Sequence, residues 1–126
     1  MSADPTDVVT AFCAAWGDGD IEAILAFFTT DAVYHNIPMA PVTGVDDIRG
    51  LIAGFTAGVD KIEFRVTHIA ANGNVVMTER VDAFITAAKT IELPVMGVFE
   101  VTDDGKVAAW RDYFDLNQFM LQMTPS

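Results

Sequence analysis

Three charged residues stand in two stretches that alternate like β-strands. Arg80 and Asp82 lie two positions apart within Thr78–Asp82, and Asp112 follows Trp110 further along the chain. Because side chains alternate between the two faces of a strand, we expect Arg80 and Asp82 to point the same way, about 6.6 Å apart along the strand. Asp112 shares its face with Trp110. Charged side chains on faces that a fold normally covers are rare unless they are paired, since desolvation costs several kcal/mol per ion.

Two polar residues, Tyr34 and Asn36, fall on one face of an earlier strand, while His35 faces the opposite way. If these faces converge, a phenol and a carboxamide join the guanidinium and the two carboxyls in one apolar cavity. Paired carboxyls suit general acid–base catalysis when their surroundings separate their pKa values. Arg80 favours an ionised carboxylate and an apolar cavity favours a protonated one, so the pair could share one proton near neutral pH. That state offers a base and an acid for one concerted step.

The same charges also have a purely structural interpretation. An arginine–carboxylate network could fix the register of the sheet around a cavity that performs no chemistry. The residues by themselves leave both interpretations open.

Other polar and sulfur-containing residues have simpler interpretations. We expect Arg111 and Asp115 to be surface or capping groups, and His68, on the apolar face of its strand, to lie in the core or at a pocket rim. Three methionines could line a pocket: Met39, Met96 and Met120. No convincing metal-ligand spacing, Gly-rich phosphate loop or Ser or Cys nucleophile motif occurs in the sequence, so no metal site is expected.

Length and composition bear on the domain organisation and on the kinds of partner. The 126 residues suit a single domain over 1–126. A net charge of −11 argues against binding to nucleic acid or to anionic membranes. Hydrophobic residues make up 52%, which favours an apolar cavity or a subunit interface.

Three other features of the sequence bear on where the protein is located in the cell. No apolar run approaches the roughly 18 residues of a membrane span. Cys13, within an apolar helical pattern, is predicted to lie in the core, and a single cysteine suits a reducing cytoplasm. Met1–Asp4 is acidic and lacks the basic start of a signal peptide.

Helical periodicity appears in three segments of the first half of the chain. Asp4 and Pro5 begin a helix that Gly17 ends, and Asp20 caps a second, short helix whose apolar face includes Phe28. A third helix is predicted from Val45 to Phe55.

Alternating segments then predict strands at Asp31–Ile37, from Lys61 onwards, and at Asn74–Thr86, Thr90–Val101 and Lys106–Tyr113. Within the second of these, alternation places Ile62, Phe64, Val66, His68 and Ala70 on one face. Asn72-Gly73 predicts a hairpin, Pro94 a bulge or an edge position, and Asp115 with Gln118 the start of a last helix. The outline is an α+β domain in which helices cover one face of a four- or five-stranded, mostly antiparallel sheet.

Four segments carry a resemblance to a known family: Tyr34–Pro38, Thr78–Asp82, Met96–Val101 and Trp110–Asp115. In their order and spacing, from about Asp4 to Phe119, the sequence resembles the limonene-1,2-epoxide hydrolase family of the nuclear transport factor-2-like (ketosteroid isomerase-like) superfamily. The resemblance implies a curved, mostly antiparallel mixed sheet with three to four helices around a cone-shaped pocket. It departs from the limonene enzyme in a shorter N-terminal lead and in His35, where that enzyme has glutamine.

The resemblance also implies roles. Arg80, Asp82 and Asp112 match the family's Asp-Arg-Asp triad, with Asp112 as base, Asp82 as acid and Arg80 bridging them, while Tyr34 and Asn36 match its water-positioning pair. The implied activity is cofactor-independent, one-step hydrolysis of a small hydrophobic epoxide, cyclic, terpene-like or steroid-like, to a vicinal diol. The family's homodimer, formed through the sheet, is implied as well. Two alternatives stay open on the same fold: a ketosteroid isomerase- or polyketide cyclase-like enzyme, and a non-catalytic module that binds small molecules.

Overall fold

A computed structural model describes residues 3–123 and contains, over that range, four helices and six strands. Their bounds in chain order are α1 Pro5–Trp16, α2 Ile21–Leu25, β1 Phe28–Asn36, β2 Val42–Thr43, α3 Val45–Thr56, β3 Lys61–Asn72, β4 Val75–Ile85, β5 Thr90–Val101, β6 Val107–Tyr113 and α4 Leu116–Met123. The first, third and last predicted helices and the later strands are confirmed to within a residue or two. The expectation about a signal peptide rests partly on Met1 and Ser2, which lie outside the described residues.

Aspartate side chains cap the starts of the first two helices. The Asp4 carboxylate accepts a hydrogen bond from the backbone N–H of Thr6 at 2.9 Å, and Asp20 accepts one from Ala23 at 3.2 Å. The short second helix ends at Leu25, so the prediction that Phe28 belongs to its apolar face is wrong. Phe28 instead begins β1, because the chain must already be extended there to pair with β6.

The strands form one mixed sheet in the order β2-β1-β6-β5-β4-β3. Neighbouring strands are antiparallel except β1 and β6, which are parallel. The mostly antiparallel sheet is therefore confirmed, with two-residue β2 added from a segment that the sequence predicted as loop. Pro94 pairs with Val81 in the part of β5 that extends past the end of β6, so it occupies a locally free edge, as predicted.

Register places the inward-facing residues of the central strands in rows across the sheet. One row contains Val76, Phe99, Trp110 and Tyr34. The next contains Thr78, Gly97, Asp112 and Asn36. The residues predicted to do chemistry on β1 and β6 are therefore direct neighbours, although about 75 residues separate them along the chain.

A bulge in β3 overturns one predicted face. Val66 pairs with Arg80 on β4, but His68 pairs with the very next residue, Glu79, so one extra residue is inserted in β3. Because an extra residue shifts the alternation by one, His68 and Ala70 turn to the outer face while Ile69 takes an inner position. The prediction that His68 shares a face with Val66 is wrong.

The core lies between the inner face of the sheet and α1. Phe12 on α1 is fully buried and contacts five aromatic rings edge-on, among them Trp110 at 5.0 Å between ring centroids. Trp16 stacks on Phe64 at 4.7 Å, and Cys13 is buried, as predicted. Phe64 of this aromatic layer also lines the cavity described below.

Candidate active site

Arg80 is a charged residue at the centre of the inner face, and its side chain is completely buried. Its guanidinium makes two hydrogen bonds with Asp82: Nε donates to Oδ1 and Nη2 to Oδ2, both at 2.9 Å. The period-2 alternation of β4 brings these two side chains together, as predicted. The bidentate geometry is the one that an arginine fork and a carboxylate favour.

The same guanidinium reaches the second carboxylate. Nη1 donates to Asp112 Oδ1 at 3.2 Å and to Thr78 Oγ1 at 3.1 Å, and Nη2 donates to Asp112 Oδ2 at 2.9 Å. A guanidinium has five N–H donors, and all five of Arg80 are thereby used. This complete pairing offsets the cost of burying the charge and holds both carboxylates in fixed orientations.

Trp110 supplies a further hydrogen bond to the network. Its indole Nε1–H donates to Asp112 Oδ1 at 2.7 Å, from two positions earlier on the same face of β6. The indole ring stacks on Tyr34 at 4.1 Å with an interplanar angle of 3°. The sequence placed Trp110 beside Asp112 but did not identify it as a donor; the shared face was the available signal.

Burial dominates the electrostatics of both carboxyls. Desolvation raises the pKa of Asp82 from its ordinary value of 3.8 to about 6, against the opposing effect of Arg80. Desolvation also raises the pKa of Asp112, although Arg80 and the Trp110 N–H favour its ionised form. Burial alone would lower the pKa of Arg80, but the two aspartates raise it well above its ordinary value. The arginine stays charged, while a carboxyl beside it can hold a proton close to neutral pH.

Tyr34 and Asn36 extend the polar group from β1. Both are buried, and Asn36 pairs with Asp112 in the sheet register. Burial, together with the negative charge of Asp112, raises the pKa of the Tyr34 phenol well above 10. The phenol is therefore a hydroxyl that can donate a hydrogen bond throughout the neutral range.

An apolar cavity of about 280 Å³ opens onto these groups. Asp82, Asp112, Tyr34 and Asn36 all line it. The rest of its wall is apolar and comes from α3, β3, β4, β5, α4 and the adjoining loops. Such a cavity suits a small hydrophobic molecule held against a few polar groups.

A second cavity, of about 560 Å³, adjoins the first. Four side chains line both: Leu51, Phe55, Phe84 and Phe119. Because these side chains line both spaces, they lie between the two cavities. The sequence did not predict the second cavity.

The predictions for the methionines and for His68 are only partly confirmed. Met39 and Met120 line the smaller cavity, but Met96 does not, because it lies on the outer face of β5 and is 47% exposed. The expectation that His68 lies in the core or at a pocket rim is wrong, since the bulge exposes its ring, whose Nδ1 lies 2.9 Å from a carboxylate oxygen of Glu79.

The two predicted surface or capping groups are confirmed. Arg111 pairs with Glu100 at 2.6 Å, and Asp115 accepts a hydrogen bond from the backbone N–H of Gln118 at the start of α4.

Metal-binding groups and membrane spans were also sought. Over residues 3–123, no group of three or more His, Cys, Asp or Glu side chains is arranged to hold a metal ion. Within the same range, no helix combines the length and apolar character needed to cross a membrane.

Comparison with known proteins gives matches over nearly the whole chain. Residues 3–125 match the limonene-1,2-epoxide hydrolase catalytic domain. The chain is 36% identical over 108 residues to epoxide hydrolase EphG of Mycobacterium tuberculosis (strain ATCC 25618 / H37Rv), covering 86% of this chain and 71% of that protein.

Two solved structures superpose closely on the chain. A limonene-epoxide-hydrolase-like epoxide hydrolase from M. tuberculosis superposes with a TM-score of 0.82 and 32% identity, over 95% of this chain and 89% of that one. A SnoaL-like protein from Shewanella putrefaciens CN-32 has the same TM-score, 0.82, at 16% identity, over 98% of this chain and all of the other. That second likeness concerns the fold alone, because one fold hosts many activities.

Proposed function

The chain belongs to the limonene-1,2-epoxide hydrolase family, and we propose that it converts a small hydrophobic epoxide to a vicinal diol in one general acid–base step. The observation that carries the proposal is the full pairing of Arg80 with two carboxyls that both face one apolar cavity. A structural network alone would not need both carboxyls at a cavity wall.

In the proposed step, Asp112 is the base. Together with Tyr34 and Asn36 it holds a water molecule and takes its proton as the oxygen attacks an epoxide carbon from the back side. Trp110 and Arg80 hold the Asp112 carboxylate by three hydrogen bonds, which fixes the direction of its lone pairs. Positioning of this kind lowers the barrier by orienting the reactants before reaction.

Asp82 is the proposed acid. A carboxyl whose pKa is raised to about 6 retains a proton in part of the population at neutral pH and can donate it to the opening epoxide oxygen. Arg80 keeps the two aspartates in different protonation states, because one guanidinium beside two buried carboxyls favours one negative charge over two. One proton enters Asp112 and one leaves Asp82, so the cycle closes by proton exchange with solvent and needs no cofactor.

The substrate class follows from the cavity. Its walls are apolar apart from the groups assigned to the reaction, so we infer a cyclic, terpene-like or steroid-like epoxide without charged substituents. Contact with such a substrate would come from α3, β5 and α4 rather than from the charged residues.

The same proposal includes a homodimer formed through the outer face of the sheet. That face exposes apolar side chains on four strands, among them Val33 on β1, Met77 on β4, Met96 on β5 and Tyr113 on β6. Exposed apolar residues grouped on one face are typical of an interaction surface.

Replacement of either aspartate tests the activity. With cyclohexene oxide and limonene oxide as probes, Asp82→Asn and Asp112→Asn should each lower kcat/KM by about 10²- to 10⁴-fold, the usual contribution of a general acid or base. Asp18→Asn, an exposed aspartate in the turn after α1, is the matched control and should keep wild-type rates. Unchanged turnover in either active-site variant would refute the assignment.

Isotopic labelling tests the mechanism. In a single turnover in H₂¹⁸O, direct attack by water places the label in the diol at once. An unlabelled first product would indicate an enzyme ester and exclude the one-step route. A ketosteroid isomerase-like or cyclase-like activity would use one carboxylate on a carbon acid, and conversion of a 3-oxo-Δ5 steroid without epoxide turnover would favour it.

A further inference from the structure

The contact between Arg80 and Asp112 has to cross a strand. Arg80 is on β4 and Asp112 on β6, and β5 runs between them. Two strand spacings amount to about 9.6 Å, so the guanidinium must pass directly over the inner face of β5. Gly97 is the β5 residue at this place, since it pairs with Thr78 on one side and with Asp112 on the other.

No space for a side chain exists at Gly97. A Cβ atom there would lie 2.3 Å from Arg80 Nη1, 2.8 Å from Asp112 Oδ1 and 3.0 Å from Thr78 Oγ1. All three atoms belong to buried residues, and Nη1 donates a hydrogen bond to each of the two oxygens, so none can move aside without breaking the network. None of the other eight glycines would bring a Cβ within 3.0 Å of a neighbouring atom.

Backbone conformation does not account for this glycine. Five glycines of the chain have a positive φ, the region that favours glycine, and Gly97 is not among them. A glycine within a strand also weakens it, because the residue is flexible and packs nothing. The presence of a glycine in the middle of β5 is therefore explained by the lack of room for a side chain above it.

We propose that Gly97 is a positioning residue of the active site, whose missing side chain leaves the slot through which the Arg80 guanidinium reaches Asp112. The part of this inference that concerns catalysis rests on the proposed function. The part that concerns the slot does not, because it can be measured on the folded protein without a substrate.

A methyl group at position 97 would weaken the link between the two halves of the network. Nη1 would have to leave Asp112 and Thr78, while Nε and Nη2 could keep their bonds to Asp82, which leaves the Nη2 bond to Asp112 Oδ2 as the remaining direct hydrogen bond from Arg80 to Asp112. Asp112 would lose part of the cationic stabilisation of its ionised form, so less of it would be available as the base at a given pH. Gly97 does not line the cavity, so substrate binding should change little.

Gly97→Ala tests the catalytic part. We expect kcat to fall at least tenfold, KM to change less than threefold, and the acid limb of the kcat–pH profile to move to higher pH. Gly50→Ala is the control, because a Cβ at Gly50 in α3 meets nothing within 4 Å, and it should keep the wild-type profile. A Gly97→Ala enzyme with wild-type kcat and an unshifted profile would overturn the proposal.

A stability cycle tests the slot independently of activity. Gly97→Ala is made in the wild type and in an Arg80→Met background, and thermal unfolding is followed at pH 5, where the carboxyls left without arginine hold protons more readily. The slot predicts a much larger fall in Tm, or loss of folding, while Arg80 is present, because Arg80 Nη1 is the atom nearest to the added Cβ and Asp112 Oδ1 and Thr78 Oγ1 lie further away. An equal fall in both backgrounds, or failure of only the doubly substituted chain to fold, would assign the clash to the strand itself and overturn the proposal.

The two failures are distinguishable. If the wild type hydrolyses no epoxide but the cycle shows dependence on Arg80, the proposed function fails and the slot stands. If epoxides are hydrolysed and the cycle shows no such dependence, the slot fails and the proposed function stands.

Discussion

At the scale of single residues, one guanidinium holds the site together. Each of the five Arg80 donors has an acceptor, and four of these are oxygens of the two aspartates. Two buried carboxyls beside one cation cannot both ionise without cost, because desolvation exceeds the stabilisation by Arg80 for each of them. The site therefore holds a proton to higher pH than a solvated aspartate would, because burial raises the pKa of both carboxyls, and this has a consequence for stability.

Stability should depend on pH through Asp82. Its folded-state pKa of about 6 lies above its ordinary value of 3.8, so the folded protein binds this proton more tightly. The resulting stabilisation is present below pH 3.8 and is lost as the pH rises through about 6, a change of about 3 kcal/mol. Relative to Asp82→Asn, the wild-type free energy of unfolding should fall by this amount between pH 3.5 and pH 7, as measured by urea denaturation.

Asp4→Asn gives a control of opposite sign. The Asp4 pKa is lowered, chiefly by its hydrogen bond from the Thr6 side chain, so its stabilisation is present at neutral pH and lost in acid. The difference between wild type and Asp4→Asn should increase as the pH rises. A difference between wild type and Asp82→Asn that stays constant from pH 3.5 to pH 7 would contradict the raised pKa of Asp82.

At the scale of elements, α4 closes the cavity without being buried itself. It contributes Leu116, Phe119 and Met120 to the cavity wall, yet over the described residues it has no fully buried side chain. The Gln122 amide attaches it to β5: Nε2 donates to the Glu92 carbonyl at 2.8 Å and Oε1 accepts from the Glu92 N–H at 2.9 Å. These backbone groups are available because β6 pairs with β5 only from Met96 onwards.

Gln122→Ala should therefore loosen the cavity wall. Two hydrogen bonds to β5 are lost, about 1–3 kcal/mol in total, which should speed amide hydrogen exchange in α4 and at Glu92. KM for a cyclic epoxide should rise more than kcat changes, because the wall binds substrate and the acid and base lie elsewhere. Gln118→Ala, an exposed glutamine of the same helix, is the matched control. Unaltered exchange in Gln122→Ala would show that the remaining contacts hold the helix: Phe119 edge-on against Phe84, and the Lys89 ammonium, which donates to the Gln122 backbone carbonyl.

At the scale of the whole molecule, the two faces of the sheet differ in kind. The inner face carries the aromatic core and the charged network, while the outer face exposes apolar residues such as Met77 (37%) and Met96 (47%). A chain with a net charge of −11 repels its own copies at long range, so association would need close apolar contact. The outer face provides such a surface for the proposed dimer.

Charge placed on this face should separate the subunits. A variant that combines Met77→Lys and Met96→Lys should sediment as a monomer in sedimentation equilibrium. Each substitution would require a charge to be buried at the proposed interface. Leu121→Lys, at a position on α4 that is 66% exposed, adds a charge away from the face and should leave the mass unchanged. A wild type that sediments as a monomer, or a double variant that stays dimeric, would contradict the proposed interface.

Local periodicity in the sequence was sufficient to predict much of this protein's structure. Alternation along β4 and β6 pairs Arg80 with Asp82 and Trp110 with Asp112, since side chains two apart in a strand share a face whatever the rest of the chain does. Helix caps and hairpin turns were predictable for the same reason, as they depend on residues within a few positions of each other. The four segments from Tyr34 to Asp115 also identified the family.

Only the tertiary structure decided how these local pieces meet. A bulge in β3 moved His68 to the outer face, and nothing in the alternation of that strand signals where a ladder gains a residue. The strand order set β5 between Arg80 and Asp112 and made Gly97 the residue beneath their contact. Alternation depends on the geometry of one strand, whereas bulges, strand order and register depend on the packing of the whole sheet. The sequence therefore determined which side chains share a face within an unbroken stretch of strand, and the fold decided where a bulge interrupts that alternation and which faces share a site.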